Sequence, residues 1–206
     1  MLEMEITYPA GTRVLLWRLE EEASQLLAMC RKAGVACEDL VDLPGKRQRE
    51  KAAERLLLRH ALGDGATLSH APNGAPIVEG MNISISHTTK LVVLALNQAW
   101  SIGIDAEQAD RQQVFKVRDK FLNDSEKHFV RPNDLDAHVI AWTAKEAVIK
   151  ATRNSSVDWT DGICLDPFTP APVETTITAH CDGQCFSLVT RRYKEHYLTL
   201  ALPVIK

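Results

Sequence analysis

Four side chains in this sequence have types and spacings that point to chemistry: Asp105 and Glu107, two positions apart, and Glu146 and Lys150, four apart. The first pair lies in Ser101-Ile102-Gly103-Ile104-Asp105-Ala106-Glu107, where Ile102, Ile104 and Ala106 alternate with Gly103, Asp105 and Glu107. That alternation predicts a strand with both carboxylates on one face. Like charges so placed repel unless a cation lies between them. Gly103 leaves room for another element to approach closely. The second pair lies in Trp142-Thr143-Ala144-Lys145-Glu146-Ala147-Val148-Ile149-Lys150-Ala151, a stretch without Pro or Gly that reads as helix. Ile140, Ala144, Ala147, Val148 and Ala151 form one apolar stripe, and Val139, Trp142, Glu146, Ile149 and Lys150 form a second, nearly opposite. A helix with apolar residues on both sides is sandwiched. Its Glu146 then sits at an internal wall, where a charge needs a partner. Lys150, at i+4, is within reach as one such partner.

If the strand face meets the second stripe of the helix, Asp105, Glu107 and Glu146 converge. Three hard oxygen ligands suit Mg²⁺ or Mn²⁺ and not zinc. Lys150 would reach a phosphate oxygen or a nucleophile, and the generic chemistry is metal-assisted attack on a phosphoryl group. The plain alternatives are an acidic strand end running into solvent and a buried helix with an incidental ion pair.

Three upstream stretches bear on the same question. Lys46, Arg47, Arg49 and Lys51 crowd the first turns of a predicted helix from about Lys46 to Leu62, opened by Pro44-Gly45 and ended by Gly63. Cations there oppose the helix dipole, a placement that makes sense if a phosphate docks among them; the alternative is a solvated basic face. Asn73-Gly74-Ala75-Pro76 is a turn. Asn82-Ile83-Ser84-Ile85-Ser86-His87 alternates as a strand that ends on a histidine.

The elements that must hold these residues follow from the rest of the pattern. Val14 to Trp17 and Leu91 to Leu96 read as strands, and Glu20 to Lys32 as a helix stopped by Gly34. Arg111 to Phe121 reads as a helix. Asn123 to Glu126 caps a short helix that stops before Pro132, and Asp134 or Asp136 opens the Trp142 helix. After Ala151 the pattern turns to strands, Thr175 to Ala179, Cys185 to Val189 and His196 to Leu202, with a hairpin turn at Asp182-Gly183. The 206 residues carry a net charge of −3, which gives no global pointer to nucleic acid or an anionic membrane. No apolar run is long enough to span a bilayer, and the acidic start Met1 to Glu5 lacks the order of a signal peptide. The five cysteines are irregularly spaced and read as reduced, mostly buried thiols of a cytoplasmic protein.

Taken in order, these motifs resemble the 4′-phosphopantetheinyl transferases of the surfactin-synthetase-activating type. Gly103-Ile104-Asp105-Ala106-Glu107 is similar to that family's G-[IV]-D-x-E. Trp142 through Lys150 is similar to its W-[ST]-x-K-E-[SA]-x-x-K. Asn82 to His87 looks like its N-[IVL]-S-x-S-H strand, and Asn73 to Pro76 like its N-G-[KR]-P turn, with Ala75 where Lys or Arg is usual. The length is similar to that of the long, pseudo-twofold members.

The resemblance implies an α+β fold of two similar halves, each a small antiparallel sheet with helices, related by a pseudo-twofold: residues 1–98 for nucleotide contacts and 99–206 for the metal site and catalytic helix. It implies transfer of 4′-phosphopantetheine from coenzyme A to a serine of an acidic acyl, peptidyl or polyketide carrier protein, by a monomer. Asp105, Glu107 and Glu146 would bind Mg²⁺, Glu146 would help take the serine proton, and Lys150 would steady phosphate charge. Ser86 and His87 would bind phosphate, and Lys46, Arg47 or Arg49 the 3′-phosphate. Asn73, Gly74 and Pro76 would touch the adenine side. A basic and apolar surface around Phe115, Lys116, Arg118, Lys120 and Phe121 is one candidate for receiving the carrier; a helix packing both Phe residues into the core is the other. A module that binds coenzyme A or the carrier without turnover, and a different Mg²⁺-dependent phosphoesterase, are the competing readings.

Overall fold

The computed structural model describes residues 1–205 and divides into a unit of Met1–Ala99 and a second that begins at Trp100. Both are mixed α/β with antiparallel sheets.

In the first unit, strands β1 (Leu2–Tyr8) and β2 (Thr12–Arg18) lead to helices α1 (Ala23–Lys32) and α2 (Gly45–Leu62). Two-residue strands β3 (Ser69–His70) and β4 (Pro76–Ile77) precede β5 (Asn82–His87) and β6 (Leu91–Asn97). The sheet order is β1-β2-β6-β5, and β3 pairs with β4 separately. The continuous apolar run of β6 is buried throughout, as a central strand requires. Helix α2 packs on β2 and β6, with α1 against α2. Leu15, Leu26, Leu57, Val92 and Leu94 lie at the heart of that core. Helix α1 starts later than the Glu20 expected from sequence. Glu22 caps it, its backbone N–H donating to Gln25 Oε1 at 2.8 Å, so the segment before it stays extended. Strand β1 has an alternating half-buried pattern at a sheet edge, too weak a signal to read unaided.

The second unit begins with β7 (Gly103–Gln108), followed by two single-turn helices, α3 (Gln113–Lys116) and α4 (Glu126–Phe129), and the long helix α5 (Leu135–Thr152). Strands β8 (Ile163–Leu165), β9 (Glu174–Cys181), β10 (Gln184–Tyr193) and β11 (His196–Pro203) complete it. The sheet order is β7-β11-β10-β9-β8, so the first strand of the unit pairs with its last. Asp105 stands opposite Thr199, Glu107 opposite Tyr197 and Gly103 opposite Ala201. The continuous helix expected over Arg111 to Phe121 is not formed. Val117 leaves helical geometry at φ −109°, ψ 7°, and a 3₁₀ turn over Arg118–Lys120 follows. Val114 and Phe121 are both buried in the core with Val117 packed against it, and the break at Val117 lets Phe121 reach Trp142.

Helix α5 lies across this sheet, touching β7 and β11 most extensively. Asp134 caps it, accepting from the Ala137 N–H at 2.9 Å. Three features seat it. Gly103 meets the helix backbone: a Cβ there would clash with the Ala147 carbonyl oxygen and come within 2.7 Å of the Ala151 nitrogen. A buried hydroxyl chain links Thr143 to Thr199 at 2.7 Å and Thr199 to Thr190 at 2.8 Å. Lys145, fully buried, donates to Glu126 Oε2 at 2.7 Å and to the Trp159 carbonyl at 2.8 Å. Glu126 also accepts the N–H groups of Leu165 and Asn123, each at 2.9 Å, so one carboxylate ties α4, α5 and β8 together. Burial pushes the Lys145 ammonium below its ordinary pKa, with Glu126 opposing the shift.

Two substitutions test this seating by urea unfolding. Glu126→Ala leaves a buried ammonium without its carboxylate and should destabilise the protein by about 3–5 kcal/mol. Gly103→Ala forces strand from helix and should cost at least about 1–3 kcal/mol. Losses within error for both would show that the seating does not depend on these contacts.

Candidate active site

The close approach at Gly103 brings the acidic face of β7 under the half-buried face of α5. Lys150 Nζ lies 2.7 Å from Asp105 Oδ1 and 3.1 Å from the Ile104 carbonyl oxygen. The Lys150 ammonium thus rests on the strand carboxylate, rather than on Glu146 as the i, i+4 spacing suggests. Two turns earlier on α5, Trp142 Nε1 donates to Glu107 Oε1 at 3.2 Å. Asp105 is buried, and Glu107, Glu146 and Lys150 are half-buried.

Glu146 lies between these two contacts along the helix. Burial raises its carboxyl pKa first, and the neighbouring Asp105 raises it further, while Lys150 and Arg111 act the other way. Asp105 and Glu146, from different elements, therefore feel each other's charge. Crowded carboxylates of this kind form a donor set that a hard divalent cation would relieve. Among the described residues, however, no group of three or more His, Cys, Asp and Glu side chains stands ready to hold a metal ion. Asp105 is occupied by Lys150, and Glu107 by Trp142 and by an ion pair with Arg111. The residue types fit Mg²⁺, and the side chains would have to exchange partners to ligate it.

Two participants were not singled out from sequence. Arg111 follows β7 by three residues, pairs with Glu107 and places its guanidinium 5.1 Å from the centre of the Trp142 ring. An i, i+4 Glu–Arg spacing is visible in the sequence, but it crosses a strand end, where the helical rule does not apply. Lys145, next to Glu146, is turned away from the acidic face into its buried pair with Glu126.

The upstream candidates all lie in the first unit. Arg49 is fastened to the loop before α1, donating to the carbonyls of Glu21 at 2.8 Å and Leu19 at 2.7 Å. Lys46 and Arg47 are exposed at the start of α2. Lys46 Nζ lies 3.8 Å from Glu50 Oε1, and His87 Nδ1 lies 4.0 Å from the same oxygen. His87 Nε2 is 3.8 Å from Glu54, which also pairs with Lys51 at 2.8 Å. Ser86, just before His87 on β5, is buried. Sequence reading passed over Glu50 and Glu54, which are buried on α2 and balance the cations and histidine around them. Asn73 to Pro76 closes the β3–β4 hairpin: Asn73 Oδ1 accepts the Ala75 N–H at 3.1 Å, and Gly74 takes φ +82°. That conformation requires glycine and leaves the side chain at position 75 free to vary.

The surface drawn around Phe115 to Phe121 does not exist as an apolar patch. Phe121 is fully buried, edge-on to Trp142 at 5.3 Å, and Phe115 packs edge-on against buried His138 at 4.8 Å. Lys116 and Lys120 remain exposed there. Of the cysteines, Cys30, Cys37 and Cys181 are buried free thiols, while Cys164 is exposed. Burial pushes the Cys30 thiol up to about 11. Among the described residues no helix is long and apolar enough to cross a membrane.

Residues 101–201 match the family model of the 4′-phosphopantetheinyl transferase superfamily. The match takes in β7, Arg111, all of α5 and most of β11; the candidates in the first unit fall outside it. Comparison with curated proteins returns no match.

A carboxyl whose pKa is raised on folding binds its proton more tightly in the native state, so stability falls as pH rises above the ordinary value of 4.5 and through the shifted one. Glu146→Gln removes that dependence. In metal-free buffer its Tm should exceed that of the wild type at pH 8 and converge with it near pH 4, with about 2–4 °C expected for each kcal/mol relieved. A pH-independent difference between the two melting curves would contradict the assignment.

Proposed function

We propose that this protein transfers the 4′-phosphopantetheine group of coenzyme A to a serine hydroxyl of an apo carrier protein, as a cytoplasmic, Mg²⁺-dependent enzyme of the long, surfactin-synthetase-activating class. The observation that carries the reading is the bond from Lys150 to Asp105 beside Glu146 on the β7–α5 seam, inside the span that matches the superfamily. The architecture of the long class is supported by the likeness of the two units. Each has an antiparallel sheet and one 18-residue helix, α2 in the first and α5 in the second.

The reaction joins the serine oxygen to the phosphorus that carries pantetheine and breaks its bridge to the adenosine phosphate, so adenosine 3′,5′-bisphosphate leaves. Glu146 takes the serine proton, directly or through a water. Burial and the neighbouring Asp105 raise its carboxyl pKa, which makes it a stronger base than an exposed carboxylate. Lys150 neutralises charge on the transferring phosphate once it gives up Asp105. Asp105, Glu107 and Glu146 would hold Mg²⁺, which supplies charge stabilisation at the diphosphate. In the first unit, Ser86 and His87 are assigned to phosphate and the Asn73 to Pro76 backbone to the adenine side. Lys46 and Arg47 are the better-placed candidates for the 3′-phosphate, since Arg49 is already committed to two carbonyls. The carrier is acidic and of the acyl, polyketide or peptidyl type.

The test is to incubate the protein with coenzyme A, Mg²⁺ and an apo carrier protein and to weigh the carrier. A gain of one phosphopantetheine is expected, with Asp105→Ala and Glu146→Ala slower by about 10²–10⁴-fold, the range for losing a positioned general base or its equivalent. Binding without gain of mass identifies a module without turnover, and hydrolysis of coenzyme A without a carrier identifies a phosphoesterase. Wild-type rates for Glu146→Ala would falsify the assigned chemistry.

A further inference from the structure

Glu107 is held by two donors. Trp142 Nε1 reaches Oε1 at 3.2 Å, and Arg111 forms an ion pair with the same oxygen. Both ion-pair side chains are largely shielded, at 30% exposure for Arg111 and 19% for Glu107. The Arg111 backbone is anchored by a hydrogen bond from its N–H to the Gln108 carbonyl at 3.2 Å, which keeps it beside the end of β7. Its guanidinium lies over Trp142, and Trp142 is itself fixed by Phe121 at 5.3 Å and Trp159 at 4.9 Å. Asp105 is covered in parallel by Lys150. Three carboxylates thus share two cations on the seam.

A carboxylate oxygen that already accepts from a guanidinium cannot give the same lone pair to a metal ion. Resting on the reading above, we infer that Arg111 is the resident counter-ion of Glu107: it holds Oε1 and so competes with the divalent cation for that carboxylate. The Trp142 face gives the freed guanidinium somewhere to stay, because cation–π attraction persists without Glu107. Arg111 is a positioning residue here. It keeps Glu107 turned toward the seam and neutral in sum, and it sets the affinity of the site for metal by competing with it.

The measurement is Mn²⁺ binding, read from the EPR signal of the free ion at fixed ionic strength. Wild type, Arg111→Gln, Arg111→Met, Asp105→Ala and the exposed-site control Arg131→Gln are compared, with far-UV circular dichroism establishing that each is folded. Arg111→Gln should bind Mn²⁺ about fivefold more tightly than wild type, the free energy of a modest ion pair converted to affinity. Arg111→Met should do the same, and serves if the Gln variant does not fold. Asp105→Ala should lose binding, and Arg131→Gln should match wild type. Arg111 variants that bind no tighter than wild type, while Asp105→Ala still loses binding, overturn the inference and leave the metal reading standing. Equal tightening in Arg131→Gln also overturns it, since the effect would then be one of general charge. Binding by Asp105→Ala as tight as wild type, or none by any protein, overturns the metal reading and this inference together.

Discussion

Backbone contact between a strand and a helix at Gly103 is the constraint on which the candidate site depends. The helix oxygen of Ala147 and nitrogen of Ala151 occupy the space where any side chain at position 103 would begin. Two residues along the strand, that closeness sets Asp105 within hydrogen-bonding distance of Lys150. Four residues along, it sets Glu107 against Trp142. Without it the acidic strand face and the mixed helix face would stand apart, and each charge would be solvated separately. The fully buried Lys145–Glu126 pair fastens the other side of the helix, and the threonine hydroxyl chain ties its sheet-facing side to β11, so α5 has little freedom to move off the strand.

The chemistry-bearing elements were legible because strand and helix periodicities are strong local signals. The alternation over Ser101 to Glu107 put both acids on one face, and the unbroken run from Trp142 put Glu146 and Lys150 on a stripe that is not fully apolar. What escaped was set by contacts distant in sequence. Nothing around Lys145 distinguishes it from a solvated helix lysine until Glu126, 19 residues earlier, is placed beneath it. Lys150 has a carboxylate one turn before it in Glu146, yet its ammonium bonds the strand acid once the sheet is in place. Arg111 to Phe121 reads as a helix from its spacing, but Phe121 is drawn into the core beside Trp142, and the chain breaks at Val117 to allow it. Arg111 itself falls just after a strand end, where no periodic rule applies.

The first unit presents a different balance. Its basic helix start is legible in sequence, and its buried acids are not, because Glu50 and Glu54 look like ordinary exposed members of a charged helix. In the structure they sit under Lys46, Lys51 and His87 and hold those groups in one neighbourhood. A phosphate arriving there would compete with carboxylates for the same cations. The seam of the second unit carries the same pattern, with Lys150 and Arg111 lying on acids that the proposed chemistry needs for a metal. In both places the cations have carboxylate partners.

The most direct test of the central claim is the ³¹P spectrum of coenzyme A bound to the protein as trace Mn²⁺ is added. If the β7–α5 seam holds the metal against the diphosphate, the two diphosphate resonances broaden well before the 3′-phosphate resonance, and Asp105→Ala abolishes that selectivity. Selective broadening that persists unchanged in Asp105→Ala would place the metal elsewhere and contradict the account.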